Sequence, residues 1–354
     1  MGMEALRKKI DSIDGKILSL INLRAKEALQ IGALKKRTGA GVYVPHREKA
    51  LILSLIKKHS GNISPTAVEA VFREIINACR SLEERLKIAF LGPEATFSHL
   101  AALKNFGLGA DYLPVPSIKD VFVEVEKNRA DYGVVPIENS TEGIINHTLD
   151  MFMESDLNIC AELSVPIELF LLSKSGNIRN VKKVYSHLQP LAQCRNWLEA
   201  NLPGVPVVAV SSTTEACKKA ISEQSAAAVA SKAAGTLYKL EVCAKGIEDS
   251  KENITRFLIV GRTPAQRSGA DKTSVMVSLK DHVGALHDML MPFKTHKINL
   301  TKIESRPTRK KAWEYIFFID FLGHASEPRI QQVLKKLEDS CSIVKVLGSY
   351  PRAD

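Results

Sequence analysis

No run of eighteen apolar residues occurs in the 354-residue chain, which leaves no candidate transmembrane helix. The first residues form a charged helical pattern without the apolar stretch of a secretory signal, so a cytoplasmic protein is expected. Six cysteines (Cys79, Cys160, Cys194, Cys217, Cys243 and Cys341) are scattered without a C-x-x-C pair. That spacing argues against a disulfide framework or a zinc site and for reduced thiols. No metal and no cofactor is expected. What the chain does have is length for two or three domains, each able to bury its own core. Its charge is positive and uneven: of a formal +10, residues 1–86 hold +7, from sixteen Lys/Arg against nine Asp/Glu. Such an excess suits nucleic acid or small anions, and composition alone does not choose.

Residues 4–37 lack proline and place Leu6, Ile10, Ile13, Ile17 and Leu20 at alternating spacings of four and three. This predicts one long helix with a heptad-like apolar stripe. The stripe continues through Arg24, Ala28, Ile31 and Lys35, putting cations at core positions, where an unpaired charge is costly. A second helix is predicted from Pro45 to about His59, and a third with Ser64 as N-cap and Pro65 at its first position. The third carries Val68, Phe72, Ile75, Cys79, Leu82 or Glu83, and Leu86. Arg7, Arg24, Lys35, Arg47, Glu48 and Glu83 together describe a polar pocket inside a helical bundle, suited to a small polyanion.

Here Leu-Arg-Lys-Lys-Ile-Asp-Ser-Ile-Asp, Ile-Asn-Leu-Arg-Ala, Val-Pro-His-Arg-Glu and Phe-Arg-Glu-Ile-Ile-Asn-Ala-Cys-Arg-Ser-Leu-Glu resemble the all-helical chorismate mutase domain. The resemblance implies that Arg7, Arg24 and Arg47 hold the two carboxylates of chorismate. It further implies Lys35 and Glu83 at the ether oxygen, Glu48 at the ring hydroxyl, and Cys79 among the substrate contacts. Val44 stands where some relatives have Asp, which leaves the hydroxyl to Glu48. Arg7 and Arg24 are seventeen residues apart on one helix, roughly 25 Å, too far to grip one small dianion. One of them, expected to be Arg7, must come from another subunit, so a homodimer or higher oligomer is expected.

From Lys87 to about Val260, strands and helices alternate in an α/β pattern. The strands include Ile88–Leu91, Asp131–Ile137, Val165–Leu172, Val184–Ser186, Val207–Val210, Ala226–Ala230 and Phe257–Val260. A helix is predicted from near Glu142 to Met153, another over Pro190–Leu198. Two lobes facing across a cleft are expected. Polar residues recur where strands meet helices: Thr96 and Ser98; Glu138, Asn139 and Ser140; Ser186 with Gln193; Ser212; and Asn253-Ile254-Thr255-Arg256-Phe257. Strand ends and helix N-termini make crevices suited to anionic ligands. Taken singly, each is a capping or turn residue. Together, Gly-Val-Val-Pro-Ile-Glu-Asn-Ser-Thr-Glu-Gly (133–143), Ser-His-Leu-Gln-Pro-Leu-Ala-Gln-Cys (186–194) and Asn-Ile-Thr-Arg-Phe resemble the prephenate dehydratase family. Ala95 and Leu188 replace a common Gly and Pro.

That resemblance implies a substrate that loses carbon dioxide and its ring hydroxyl together. The chemistry needs a proton donor for the departing hydroxide and groups that fix the carboxylates. It implies Thr255 at the hydroxyl, Asn139, Ser186 and Gln193 placing the substrate, and Arg256 on the side-chain carboxylate. Glu138 either supplies a proton or braces the loop. The competing class is a solute receptor, which is also two-lobed; such receptors usually need export, and no signal is seen.

After a polar linker, Thr263–Asp271, the order Thr273–Leu279 (strand), Gly284–Phe293 (helix), Ile298–Ser305 and Trp313–Phe321 (strands), Pro328–Leu337 (helix), Ser342–Leu347 (strand) is the βαββαβ ferredoxin-like plan. Gly284-Ala285-Leu286 and Glu304-Ser305-Arg306-Pro307 resemble the ligand loops of ACT regulatory domains, which implies phenylalanine as effector; the other reading is a bare dimerisation module. Nucleic-acid and membrane partners are not expected, since the basic residues interrupt apolar faces instead of forming a solvated stripe with aromatics. The expected architecture is multidomain: a helical mutase domain (1–86), an α/β two-lobed, periplasmic-binding-protein-like dehydratase domain (87–262) and an α+β ferredoxin-like ACT domain (272–354). The expected activity converts chorismate to prephenate and prephenate to phenylpyruvate, under phenylalanine inhibition.

Overall fold

The computed structural model describes residues 2–38, 41–280, 282–307 and 315–353. Three helices come first: α1 (Met3–Thr38), α2 (Pro45–Lys58) and α3 (Pro65–Glu83). The Ser64 hydroxyl accepts from the Ala67 amide at 3.2 Å, and Pro65 follows, where a missing N–H costs nothing. α1 lies close against the end of α3 because Gly32 has no side chain: a Cβ there would stand 2.9 Å from Glu83 Cβ. Otherwise α1 is largely bare. Only Ala28 and Gly32 are buried, and Leu6, Ile10, Ile13, Ile17 and Leu20 are 49–65% exposed.

The first α/β lobe comprises β1 (Lys87–Leu91), α4 (Phe97–Phe106), β2 (Asp111–Val115), α5 (Ile118–Glu126), β3 (Tyr132–Asn139), β4 (Gly143–Ile144), α6 (Asn146–Glu154) and β5 (Asn158–Pro166). The second comprises β6 (Phe170–Ser173), β7 (Lys183–Ser186), α7 (Leu188–Gln193), α8 (Arg195–Asn201), β8 (Val207–Ala209), α9 (Thr213–Ser222), β9 (Ala226–Ala230), α10 (Lys232–Tyr238) and β10 (Glu241–Lys245). The chain then returns to the first lobe as β11 (Ile254–Gly261), giving sheet orders β2-β1-β3-β11-β5 and β10-β6-β9-β7-β8. The two crossings between lobes meet where the Ile167 amide donates to Asn253 O at 2.8 Å.

Three elements differ from expectation. The helix expected from Glu142 starts at Asn146, because Gly143 (φ +83°) turns the chain back and Gly143–Ile144 pair with Asn139 and Glu138. The single strand expected over 165–172 is two strands belonging to different lobes, broken after Pro166. The helix expected over 190–198 begins at Leu188 and breaks at Cys194.

The C-terminal module has β12 (Asp271–Leu279), α11 (Ala285–Thr295), β13 (Leu300–Pro307), β14 (Tyr315–Leu322), α12 (Pro328–Ser340) and β15 (Cys341–Pro351), with sheet order β13-β14-β12-β15. Trp313, expected to open the third strand, lies outside the described residues. One face of this sheet carries α11 and α12; the other buries Met276, Ile316, Phe318, Leu347 and Tyr350 against Val135, Leu149, Phe152, Ile159 and Leu258 of the first lobe. Among the described residues no helix is long and apolar enough to cross a membrane.

Candidate active sites

In the helical region the polar residues of all three helices converge only in part. Lys35 Nζ lies 2.8 Å from Glu83 Oε2 and 3.1 Å from Val42 O, and Arg24 Nη1 reaches Ile75 O at 3.5 Å. Cys79 is buried beside them on α3, while Arg7 and Arg47 are exposed. Glu48 lies at the margin of this group, close enough to feel the Lys35 charge, and its Oε1 accepts from Arg80 Nη1 at 2.7 Å. Burial raises the Glu48 pKa and the Arg80 charge works against that rise. Arg80 itself is 4% exposed, a buried charge that the α3 stripe did not anticipate. The signal for it was the pair Asn77 and Arg80, three apart on the opposite face of the helix, both now buried.

The second constellation sits at the ends of β3 and β11. Asn139 Nδ2 donates to Thr255 Oγ1 at 2.9 Å and to Asn253 Oδ1 at 2.7 Å, and all three side chains are buried. Asn139 Oδ1 in turn accepts from the Thr141 and Glu142 amides at 3.0 and 3.1 Å, a turn closed by the side chain that fixes the amide's orientation. Because Thr255 Oγ1 is an acceptor in this pair, its own O–H is left to donate. The Ser140 hydroxyl ties the loop down by donating to Glu252 O and accepting from the Ile254 amide. From the second lobe, Gln193 Nε2 donates to Glu142 Oε1 at 2.6 Å, and Gln189 donates to the other carboxylate oxygen. Glu142 thus bridges the lobes, a contact visible only once both lobes are placed.

Three of the remaining cleft candidates, Thr96, Ser186 and Ser212, are engaged with backbone. Thr96 and Ser212 cap α4 and α9, Ser98 is buried in the first turn of α4, and the Ser186 hydroxyl donates to Val229 O at 2.6 Å. Ala95 adopts φ +62° in the loop before α4, a backbone state that glycine enters more readily.

Arg256 and Glu138 were expected in the same cleft as Thr255, and the structure places them on the other face of the sheet. The register sets Thr255 opposite Asn139 and Arg256 opposite Glu138, so strand alternation separates the two pairs. Arg256 donates to Glu162 Oε2 at 2.7 Å, Asp320 Oδ2 at 2.8 Å and the Tyr350 hydroxyl at 3.1 Å. Burial opposes its charge, but Tyr350, Asp320 and Glu162 more than offset this and raise its pKa. Glu138 accepts from Lys302 Nζ at 3.1 Å.

In the C-terminal module, Gly284 caps α11 with φ +87°. It and Leu286 are exposed and Ala285 is half-buried. Ser278, Ile316 and Arg306 are in register across β12, β14 and β13. The two loop candidates therefore leave the same end of the sheet, about two strand spacings, or ~10 Å, apart. Side chains alternate along β13: Ser305 and Pro307 are exposed, Glu304 is half-buried, and Arg306 Nη2 donates to Asp150 Oδ1 of α6 at 2.8 Å.

Against known proteins, the family model for chorismate mutase type II matches residues 6–84, that for prephenate dehydratase 88–265, and that for the ACT domain 273–339. The bifunctional chorismate mutase/prephenate dehydratase of Aquifex aeolicus (strain VF5) is 52% identical over 355 residues, covering 99% of this chain and 98% of the relative. That of Pseudomonas aeruginosa is 45% identical over 357 residues, with the same shares of 99% and 98%. The crystal structure of prephenate dehydratase in complex with L-Phe from Arthrobacter aurescens aligns with a TM-score of 0.70 at 35% identity, covering 75% of this chain and 90% of that one.

Proposed function

The chain belongs to the family of bifunctional chorismate mutase/prephenate dehydratases, and from that premise we propose that Thr255 protonates the hydroxyl leaving prephenate while Asn139 sets the direction of that proton. The observation that carries this is the 2.9 Å bond in which Thr255 Oγ1 accepts from Asn139. In the overall change the ring C–C bond to the carboxylate breaks and carbon dioxide departs. Its electron pair closes the aromatic ring, and the ring hydroxyl takes up one proton to leave as water. Aromatisation drives the step, so the protein need only orient the substrate and supply the proton.

For the first reaction, Lys35, Glu83, Arg24, Arg47, Glu48 and Cys79 form one subunit's share of the chorismate site. The second copy of the chain supplies Arg7. The exposed Leu6–Leu20 stripe of α1 supports a homodimer, since an apolar face of that length calls for a partner. The C-terminal module binds phenylalanine between the Gly284–Leu286 and Glu304–Pro307 loops, and its salt bridges to the first lobe carry the effect to the dehydratase cleft. The enzyme works in the cytoplasm, as its substrates are soluble metabolites.

The test is a two-substrate assay on the full chain, chorismate and then prephenate, with and without phenylalanine. Formation of phenylpyruvate from prephenate by a Thr255→Ala variant at the wild-type rate would overturn the assignment of Thr255.

A further inference from the structure

Arg80 stands at the contact between the helical bundle and the first α/β lobe. Its Nη1 donates to Glu48, and its Nη2 to Asn77 Oδ1 at 2.8 Å, Phe106 O at 3.1 Å and Asn105 O at 3.3 Å. Phe106 is the last residue of α4, whose final carbonyls have no partners within the helix and carry partial negative charge. The guanidinium carbon lies 5.1 Å from the ring centre of Tyr43 and 5.4 Å from that of Phe106, and those two rings pack on each other at 5.0 Å, so the charge rests against an aromatic pair. Around it Asn77 packs on Gly107 and Ser81 on Gly109, so this end of α3 is seated directly on the end of α4. One planar fork therefore grips a carboxylate of the helical bundle and two carbonyls of the neighbouring domain at once.

We propose that Arg80 is a positioning residue for the chorismate rearrangement. It fixes the Glu48 carboxylate that anchors the ring hydroxyl, and it does so braced against α4, so that the mutase site is completed by the dehydratase domain of the same chain. This rests on the reading of Glu48 as a substrate contact. Arginine is required because a lysine head is a single point, unable to hold Glu48 and the α4 carbonyls together.

The experiment uses the full chain with Arg80→Met, Arg80→Lys, Glu48→Gln and the Arg80→Met/Glu48→Gln double variant. It measures kcat and KM for chorismate, kcat/KM for prephenate, and thermal unfolding. A hydroxyl anchor binds the ground and transition states alike, so its loss should raise KM roughly tenfold and leave kcat within about threefold. A merely structural staple would instead lower the active fraction, and hence kcat, at constant KM. The expected results are a raised chorismate KM in Arg80→Met, a smaller rise in Arg80→Lys, nearly unchanged prephenate kinetics, and no further rise when Arg80→Met is added to Glu48→Gln. If Arg80→Met does not fold, Arg80→Lys decides: a wild-type chorismate KM there overturns the proposal. A wild-type KM in Arg80→Met beside an impaired Glu48→Gln also overturns it, as do losses that multiply in the double variant. Wild-type chorismate kinetics in Glu48→Gln would instead overturn the reading of Glu48 itself.

Discussion

Thr255 and Arg256 are adjacent on β11 and face opposite ways: Thr255 Oγ1 is 2.9 Å from Asn139 Nδ2 on one side of the sheet, and Arg256 Nη1 is 2.8 Å from Asp320 Oδ2 of the C-terminal module on the other. The proposed proton donor is thus one peptide bond from a residue locked into the regulatory module. A shift of that module relative to β11 would bear on Thr255 through a strand flanked on both sides, by β3 and β5.

Thr255→Ala should abolish phenylpyruvate formation, a loss of at least ~100-fold as expected for a positioned general acid, while chorismate consumption stays within about twofold. Thr255→Ser keeps the hydroxyl and should retain a measurable rate. Parallel assays with the two substrates check this; equal loss of both activities would point to misfolding.

Asp320→Asn removes one of the two carboxylates closest to Arg256 and leaves Glu162 in place. The variant should lose roughly 2 kcal/mol of stability, the scale of a hydrogen bond to a charged group. Phenylalanine inhibition should weaken several-fold while the uninhibited dehydratase rate stays near wild type. Denaturant unfolding and an inhibition curve measure the two effects separately.

Much of this layout could be read along the chain, and the exceptions share a cause. The spacing of Leu6, Ile10, Ile13, Ile17 and Leu20 gave α1 because helical periodicity is local, and the β and α segments after Thr273 were separable for the same reason. Which way Arg256 points is not local. It depends on the register of β11 against β3 and on the irregularity between Arg256 and Phe257, neither of which leaves a mark in the sequence. Arg80 was hidden because α3 buries a second face only when α4 arrives. Gly143 looked like part of a helix entry, yet its positive φ serves a hairpin.

Gly284→Val forces a β-branched residue into the left-handed region at φ +87°, at a cost of about 1–2 kcal/mol locally. A Cβ there meets nothing within 4 Å, so the strain falls on the loop and not on the core. The concentration of phenylalanine needed for half inhibition should rise at least tenfold, with the uninhibited rate within about twofold. An unchanged inhibition curve would remove this loop from the effector site.

His99 reports on the loop before α4. Its Nδ1 accepts from the Ala95 amide at 3.0 Å and its ring stacks on Phe90, so the folded state holds it neutral; burial lowers its pKa, with Glu94 opposing. The unfolded chain therefore binds the proton more readily. This contribution to stability is complete above the ordinary imidazole value of about 6.5 and is lost progressively as pH falls below it. His99→Asn keeps an acceptor without the titration and should flatten that part of the profile. Melting temperatures of the two proteins between neutral and mildly acid pH provide the comparison.

Glu83 poses the sharpest question in the mutase site. As chorismate rearranges, its ether bond breaks and negative charge builds on oxygen, so preorganised donors there are worth more than any other contact. Lys35 is the donor proposed for that oxygen, and in this structure its Nζ is 2.8 Å from Glu83 Oε2. An ionised Glu83 only accepts hydrogen bonds, so it would both hold Lys35 back and repel the developing charge. A side chain with an N–H in place of that carboxylate would donate to the ether oxygen and release Lys35 to do the same. Glu83→Gln supplies a donor that needs no proton and keeps the shape required beside Gly32, where α1 and α3 are closest. The variant should retain mutase activity within about tenfold of the wild-type rate or exceed it. An inactive Gln variant would exclude a donor at position 83 and leave the ether oxygen to Lys35 alone.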